Sequence, residues 1–182
     1  AFALTMAILV IAGLALVQFR PVKKGLYARD GLAIVSLGWI GLSLFGAMPF
    51  YFSGEIPVMV DAIFESVSGF TTTGASILTD VESLSKGLVF WRSFTHWIGG
   101  MGVLLLTLAI LPLAGAGAVH ILRAESPGPS PGKLVPKLAQ TAKILYILYL
   151  GLTVAEVIAL LIAGMPFFDA LIHAFGTAGT GG

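Results

Sequence analysis

The chain has 182 residues, of which 57% are hydrophobic and only 10% are charged, and its mean hydropathy is +0.99. A soluble domain carries about 25% charged residues, so this composition indicates a membrane protein. The net charge of +1, without a dense basic cluster, gives no support to nucleic-acid binding, and the lack of cysteine excludes disulfides and thiolate metal sites.

The N-terminal segment is the first predicted element, a transmembrane helix over residues 1–19. It is apolar throughout, and at 1.5 Å per residue it is long enough for one span. Because it starts inside an apolar run without a charged leader, we expect the chain to begin within a longer protein. A basic loop over residues 20–30 follows, and basic loops of this kind remain cytoplasmic.

Residues 31–115 form the first predicted repeat. It opens with a span over residues 31–52, passes through a short outer loop, and enters a short helix whose N-cap candidate is Asp61. A long helix over residues 87–115 closes the repeat, and the aromatic residues at its start are typical of a membrane interface. The short helix is expected to have about two turns, which is too few to cross a bilayer.

The stretch Thr71-Thr-Thr-Gly74 follows the short helix. Three β-branched residues ending in glycine disfavour a helix, so we expect extended backbone here. Between two spans this predicts a re-entrant loop, because irregular backbone at membrane depth must be buried by protein or reached by water. Its carbonyl oxygens would replace part of a cation's hydration shell, and the C-terminal end of the preceding helix also favours a cation. For one copy alone, a turn or a close helix contact is the alternative.

A second copy of this pattern closes the chain. A polar, proline-rich loop over residues 116–137, expected to be cytoplasmic, leads into the second predicted repeat, residues 138–182, whose span covers 141–165. Under a shift of 108 residues the matched pairs are Asp61 with Asp169, Ala62 with Ala170, Thr72 with Thr180, and Gly74 with Gly182. Two such copies favour an ion filter, because repeated units of span, pore helix, filter and span place their loops around one axis.

The distribution of charge also favours re-entrant loops. If the spans alternate sides and the first loop returns to the side it left, eight of the ten basic residues fall on the cytoplasmic side: 20, 23, 24, 29, 123, 133, 137 and 143. If residues 58–70 crossed the membrane instead, the loop at 116–137 would lie outside with its positive charges. The positive-inside rule therefore predicts the re-entrant arrangement.

Three stretches carry a family resemblance. They are Phe64-Glu-Ser-Val-Ser-Gly-Phe-Thr-Thr-Thr-Gly-Ala, Phe90-Trp-Arg-Ser-Phe-Thr-His-Trp-Ile-Gly-Gly-Met-Gly and Asp169-Ala-Leu-Ile-His-Ala-Phe. They are similar to the TrkH-type potassium uptake proteins of the Trk, Ktr and HKT cation transporter superfamily, and the resemblance covers essentially the whole chain. It implies an all-α membrane protein of repeated M1–pore helix–filter loop–M2 units, arranged like the subunits of a potassium channel. This chain would hold one N-terminal transmembrane helix and about one and a half repeats, as a fragment that ends inside its second filter.

The resemblance implies a function and a set of site residues. It implies that the protein takes up potassium as its substrate and is a multi-pass protein of the inner (plasma) membrane. It also implies that the protein is not an enzyme and that this chain binds no cofactor. The implied filter residues are Thr71, Thr72, Thr73, Gly74, Gly179, Thr180, Gly181 and Gly182, with potassium at Thr72, Thr73, Thr180 and Gly181. Glycine at position 74 points to potassium, because plant relatives with serine there tend to prefer sodium; a sodium-permeable member of the superfamily is the alternative. The implied partners are the membrane, a second copy in a homodimer, and a TrkA-type cytosolic nucleotide-binding ring.

Ionisable residues inside the membrane are further candidates, since an unpaired charge there is costly. Arg92 is expected to form a structural pair with Glu65 or Glu156, because a paired charge is far cheaper than a lone one. His96 and His173 are expected to pack or to form hydrogen bonds rather than to bind a metal, because no ligand cluster accompanies them.

Two other classes of function are weaker alternatives. Ser66 and Ser68, together with two histidines, suggest an intramembrane serine hydrolase, but the Gly-x-Ser-x-Gly spacing is absent. A passive membrane scaffold would account for the spans but not for the duplicated Thr/Gly loops. The transporter therefore remains the favoured interpretation.

Overall fold

Six helices and no β-strand are found in the part of the chain that the structure describes. The computed structural model describes residues 1–18, 28–113 and 134–180, with side chains at 1–18, 33–102 and 141–180. The helices are α1 (Phe2–Val17), α2 (Ala28–Ser53), α3 (Met59–Phe70), α4 (Lys86–Leu113), α5 (Leu134–Ile162) and α6 (Phe167–Ala178). The prediction of an all-α protein is therefore confirmed for these residues. The basic loops expected at 20–30 and 116–137 lie for most of their length outside them.

Helices α2 and α5 leave most of their apolar surface exposed. Among the residues whose side chains the structure describes, two segments are long and apolar enough to span a membrane, Ala33–Ser53 in α2 and Thr141–Ile162 in α5, with mean hydropathies of 1.7 and 2.3. Only 28% and 6% of these segments are buried inside the protein. Helix α1 has 16 residues, about 24 Å, which is shorter than a hydrocarbon core of about 30 Å. Exposed apolar surface on this scale is typical of a membrane or protein contact.

The two short helices reproduce the 108-residue offset of the sequence. Helices α3 and α6 have 12 residues each, about three turns rather than the expected two, and each bound of α6 is that of α3 shifted by 108. The prediction that Asp61 opens α3 is wrong, because the N-cap is Val58, whose carbonyl already accepts the Ala62 N–H at 3.0 Å. Asp169 likewise follows the N-cap of α6 by three residues. Both carboxylates lie in the first turn, where negative charge still favours the positive end of the helix dipole.

A small apolar core holds α3 against α2 and α4. It includes Phe50 from α2, Ala62 from α3 and Leu88 from α4, all buried. Trp91 of α4 packs against this core, and its indole N–H donates to the Gly46 carbonyl of α2 at 2.9 Å. The first short helix is therefore fixed on two sides by long helices.

Aromatic rings hold α6 against α4 and α5. The ring of Phe175 in α6 lies 5.9, 5.7 and 5.3 Å from the rings of Phe90, Phe94 and Trp97 in α4, between centroids. Trp97 also packs against Tyr149 of α5, whose hydroxyl donates to the Trp97 carbonyl at 3.0 Å. Both short helices thus lie on the same long helix, α4, which brings the two Thr/Gly loops to one region.

Candidate cation-binding site

Thr71–Gly74 begins by closing α3, so the expectation of extended backbone throughout this stretch is wrong. The Thr72 N–H donates to the Gly69 carbonyl at 3.0 Å, and the Thr73 N–H donates to the Ser68 carbonyl at 2.9 Å. This pair of bonds is a Schellman motif, which needs a left-handed residue one position beyond the C-cap. Thr72 takes that conformation, with φ of 56°.

A threonine in the left-handed conformation is unusual at the end of a helix, where glycine is the common residue. Helix α5 ends on the same motif at Gly164, with φ of 91° and the two matching bonds, Gly164 N–H to Leu161 O and Met165 N–H to Leu160 O. Glycine adopts this conformation at little cost, whereas a residue with a Cβ is strained by about 1–2 kcal/mol. Backbone strain of this kind clusters at functional sites, so the Thr72 conformation marks the loop as a candidate site.

Backbone carbonyls are left without partners after the helix. The N–H groups of Thr71, Thr72 and Thr73 all donate back into α3, and the Thr73 hydroxyl donates to the Thr71 hydroxyl, 2.8 Å away, because the latter donates to Val67 O. Among the described residues, no donor reaches the carbonyl oxygens of 71–74. The loop therefore presents free carbonyl oxygens next to the negative end of a helix dipole. Both features favour the binding of a cation.

The backbone changes direction at Gly74, the last residue of the segment 71–74. Gly74 has φ of 76°, a conformation that residues with a Cβ rarely adopt. The carbonyl of the next residue, Ala75, accepts a 2.5 Å hydrogen bond from the Ser68 hydroxyl. The run of unpartnered carbonyls thus ends where the chain leaves the loop.

The second loop repeats this geometry as far as the structure describes it. Gly179 is the C-cap of α6, with φ and ψ of −78° and 1°, close to the −83° and 2° of Thr71. Thr180 has φ of 57°, and its N–H donates to the Thr177 carbonyl at 2.9 Å. Gly181 and Gly182 lie outside the described residues. A sequence match between the two copies is therefore also a match of backbone conformation, including the strained threonine.

A buried carboxylate pairs with a partly buried arginine next to the first loop. Glu65 is only 1% exposed, and its Oε2 lies 3.1 Å from Nε of Arg92 on α4. Its other oxygen, Oε1, accepts from the Ser76 hydroxyl at 2.6 Å and from the Ile77 N–H at 2.8 Å. Glu156, the other carboxylate considered for Arg92, is half-buried on α5, and no ion pair joins these two described side chains. The structure thus pairs Arg92 with Glu65.

Glycines allow the close approach of both short helices to α4. The sequence indicated that Gly99 and Gly100 of α4 either loosen this helix or admit a neighbour closely, and it assigned Gly179, the C-cap of α6, only to the filter. A Cβ on Gly99 would lie 2.8 Å from the carbonyl carbon of Phe70, and it would clash with the attached oxygen. A Cβ on the neighbouring Gly100 would lie 3.1 Å from Cα of Gly179, and one on Gly179 itself would lie 2.5 Å from the His96 carbonyl oxygen. Adjacent glycines on one helix therefore contact the ends of both short helices, and the consecutive glycines at 99 and 100 were the available signal.

Comparison with known proteins identifies the family of this chain. The family model of TrkH, described as a cation transport protein, matches residues 1–182. The chain belongs to the TrkH family.

Relatives and a solved structure extend the match. The Trk system potassium uptake protein TrkH of Salmonella typhimurium is 48% identical over 166 residues, 90% of this chain and 34% of that protein. The Trk system potassium uptake protein TrkI of Halomonas elongata is 33% identical over 100% of this chain and 37% of its own length. The crystal structure of the potassium transporter TrkH from Vibrio parahaemolyticus has a TM-score of 0.77 and 38% identity, over 96% of this chain and 34% of that one. The chain thus spans about a third of the length of these TrkH proteins.

Membership of the TrkH family weighs against the hydrolase alternative, since the family and the relatives are named as transporters. The local geometry offers no nucleophile–base pair among the described serines and histidines either. The Ser68 hydroxyl donates to the Ala75 carbonyl, and the Ser66 hydroxyl is buried without a hydrogen-bond partner. His96 Nδ1 donates to the Arg92 carbonyl at 3.0 Å, and its Nε2 has no partner. His173 is exposed on α6.

Proposed function

We propose that this chain forms the first part of a potassium uptake pathway. In this proposal Thr71–Gly74 and Gly179–Gly182 supply backbone carbonyl oxygens to a dehydrated potassium ion, with the ion at Thr72, Thr73, Thr180 and Gly181. The observation that carries the proposal is the run of carbonyls at 71–74 without hydrogen-bond donors, directly after a helix C-terminus. Carbonyl rings of this kind replace the hydration shell of an ion in potassium filters. The names of the relatives, potassium uptake proteins, support the choice of ion.

The proposal extends to the organisation of the chain. Residues 31–115 are the first M1–pore helix–M2 repeat and 138–182 are the start of the second, after an N-terminal membrane helix at 1–19. The identical offset of α3 and α6, and the two left-handed threonines, support a duplicated unit. Loops 20–30 and 116–137 lie on the cytoplasmic side of the cell's inner membrane, which their basic residues support. The homodimer and the cytosolic TrkA-type nucleotide-binding ring follow from the family resemblance.

Substitution of Gly74 in the full-length transporter tests the filter. A side chain at φ of 76° adds about 1–2 kcal/mol of strain, and 1.4 kcal/mol is a factor of ten in an equilibrium constant. Gly74→Ser should therefore lower the preference for potassium over sodium by about tenfold. The measurement is rubidium uptake under sodium competition, normalised to the transporter present in the membrane.

A matched control separates strain from a role in ion binding. Gly54 has nearly the same conformation, with φ of 80°, and a Cβ there would meet no atom within 4 Å. Gly54→Ser should reduce the amount of folded transporter as much as Gly74→Ser does, while leaving ion preference unchanged. If Gly74→Ser also reduces only the amount of folded protein, Gly74 is a turn glycine and the filter assignment is wrong.

A further inference from the structure

We propose that the buried carboxylate of Glu65 is the positioning residue of the first loop, and that its hydrogen bonds to Ser76 and Ile77 set the cation preference of Thr71–Gly74. The inference rests on the proposed filter function. It assigns to Glu65 a role beyond neutralising Arg92, because only one of its two oxygens contacts the guanidinium.

One carboxylate links three parts of the fold. Glu65 lies on α3, one turn before the helix ends, and its Oε2 accepts from Arg92 Nε on α4 at 3.1 Å. Oε1 accepts from the hydroxyl of Ser76 at 2.6 Å and from the backbone N–H of Ile77 at 2.8 Å. Ser76 is the second residue after Gly74. The carboxylate therefore fixes the chain just after the run of free carbonyls, while the Schellman bonds fix Thr72 and Thr73 within the run.

Packing against the described residues does not by itself hold the chain that leaves the loop. The side chains of Ala75, Ser76 and Ile77 are all exposed, with Ile77 at 41%. Besides the bonds to Glu65, the segment is held by the bond from the Ser68 hydroxyl to the Ala75 carbonyl. Because side-chain burial contributes little here, loss of the bonds to Glu65 would free the segment that sets the spacing of the carbonyls at 71–74.

An isosteric substitution separates the charge from the shape. Glu65→Gln keeps one oxygen acceptor but replaces the other oxygen with an NH₂ donor. If the oxygen faces Ser76 and Ile77, the NH₂ faces the Arg92 Nε–H, donor against donor. If the oxygen faces Arg92, the NH₂ faces the Ile77 N–H, donor against donor, and that loop bond is lost. Adding Arg92→Gln removes this conflict. The side-chain oxygen of the new glutamine at position 92 is separated from the backbone by the same number of bonds as Nε of Arg92. This oxygen can therefore accept a hydrogen bond from the NH₂ group that Glu65→Gln introduces.

The experiment measures rubidium uptake under sodium competition in full-length transporters, per molecule in the membrane. Hydrogen bonds to charged groups are strong enough that losing them changes an equilibrium by about tenfold, so Glu65→Gln should lower potassium-over-sodium preference by about tenfold. Glu65→Gln combined with Arg92→Gln should recover most of that preference. Ser76→Ala leaves the ion pair and the Ile77 bond intact. It removes one of the two loop bonds to Glu65, together with the bond that the Leu78 N–H donates to the Ser76 hydroxyl at 3.1 Å, so it should give a smaller change in the same direction, about threefold.

A control carboxylate shows whether any lost carboxylate bond has this effect. Oε2 of Glu55 accepts from the backbone N–H of Ser85 at 2.7 Å, away from the loop, so Glu55→Gln should leave ion preference unchanged. If Gly74→Ser changes preference while Glu65→Gln and Ser76→Ala do not, the positioning role is refuted and the filter stands. If none of these variants changes preference, the filter proposal itself is wrong. Should Glu65→Gln fail to insert, an unchanged preference in Ser76→Ala is sufficient to refute the positioning role.

Discussion

Gly99 of α4 is the position where one added methyl group should move the first loop. A Cβ there would lie 2.8 Å from the carbonyl carbon of Phe70 and 3.0 Å from the carbonyl oxygen of Gly69, and it would clash with the Phe70 oxygen. The optimal separation for such atoms is about 3.5–4.0 Å. The obstructing atoms are backbone at the end of α3, so relief requires the helix to move away from α4.

The expected loss of stability follows from two opposing terms. Overpacking of this kind costs about 1–3 kcal/mol, and the backbone clash places Gly99→Ala at the upper end of that range. Replacing a helical glycine with alanine stabilises the helix by about 1 kcal/mol, because alanine has the higher helix propensity. The net destabilisation should therefore be about 2 kcal/mol, and the displaced end of α3 should also lower potassium preference, since Thr71 follows Phe70 directly.

Gly102, on the same helix, is the matched control. A Cβ there would lie 3.4 Å from the nearest atom, Cη2 of the Trp39 side chain, which needs only a small adjustment of that side chain. Gly102→Ala should thus be neutral or up to about 1 kcal/mol stabilising. Titration of the purified full-length transporter with sodium dodecyl sulfate in mixed micelles gives the free energy of unfolding of both variants. Equal stability of the two would contradict the close contact between Gly99 and α3.

Three further substitutions test other parts of the site by the same unfolding measurement. Thr72→Gly should stabilise the protein by about 1 kcal/mol, because it removes the strain of a Cβ at φ of 56°; a destabilisation would mean that the threonine side chain contributes more than its strain costs. Tyr149→Phe should cost about 1 kcal/mol by removing the 3.0 Å bond to the Trp97 carbonyl, and no change would show that water replaces this bond. Gly179→Ala should cost about 1–3 kcal/mol, since its Cβ would lie 2.5 Å from the His96 carbonyl oxygen; wild-type stability would refute the close approach of α6 to α4.

Local composition and spacing were sufficient to predict the class of protein and its repeated elements. The apolar length of α2 and α5 can be read directly from the sequence, because a helix in lipid needs a continuous apolar run. The 108-residue offset between Asp61 and Asp169 predicted two equivalent short helices, and both exist at that offset. The high cost of a lone charge in the membrane predicted a partner for Arg92, although the sequence left Glu65 and Glu156 as equal candidates.

Tertiary structure decided the features that depend on contacts between distant segments. Glu65 rather than Glu156 pairs with Arg92 because α3, not α5, brings its carboxylate to that side of α4. The left-handed Thr72 contradicts the local preference of a β-branched residue, so propensity predicted extended backbone, and the Schellman closure of the helix overrode it. The consecutive glycines at 99 and 100 indicated either a loosened helix or the close approach of a neighbour, and only the tertiary structure decided between the two, because it places the backbone at the end of α3 where a Cβ of Gly99 would lie.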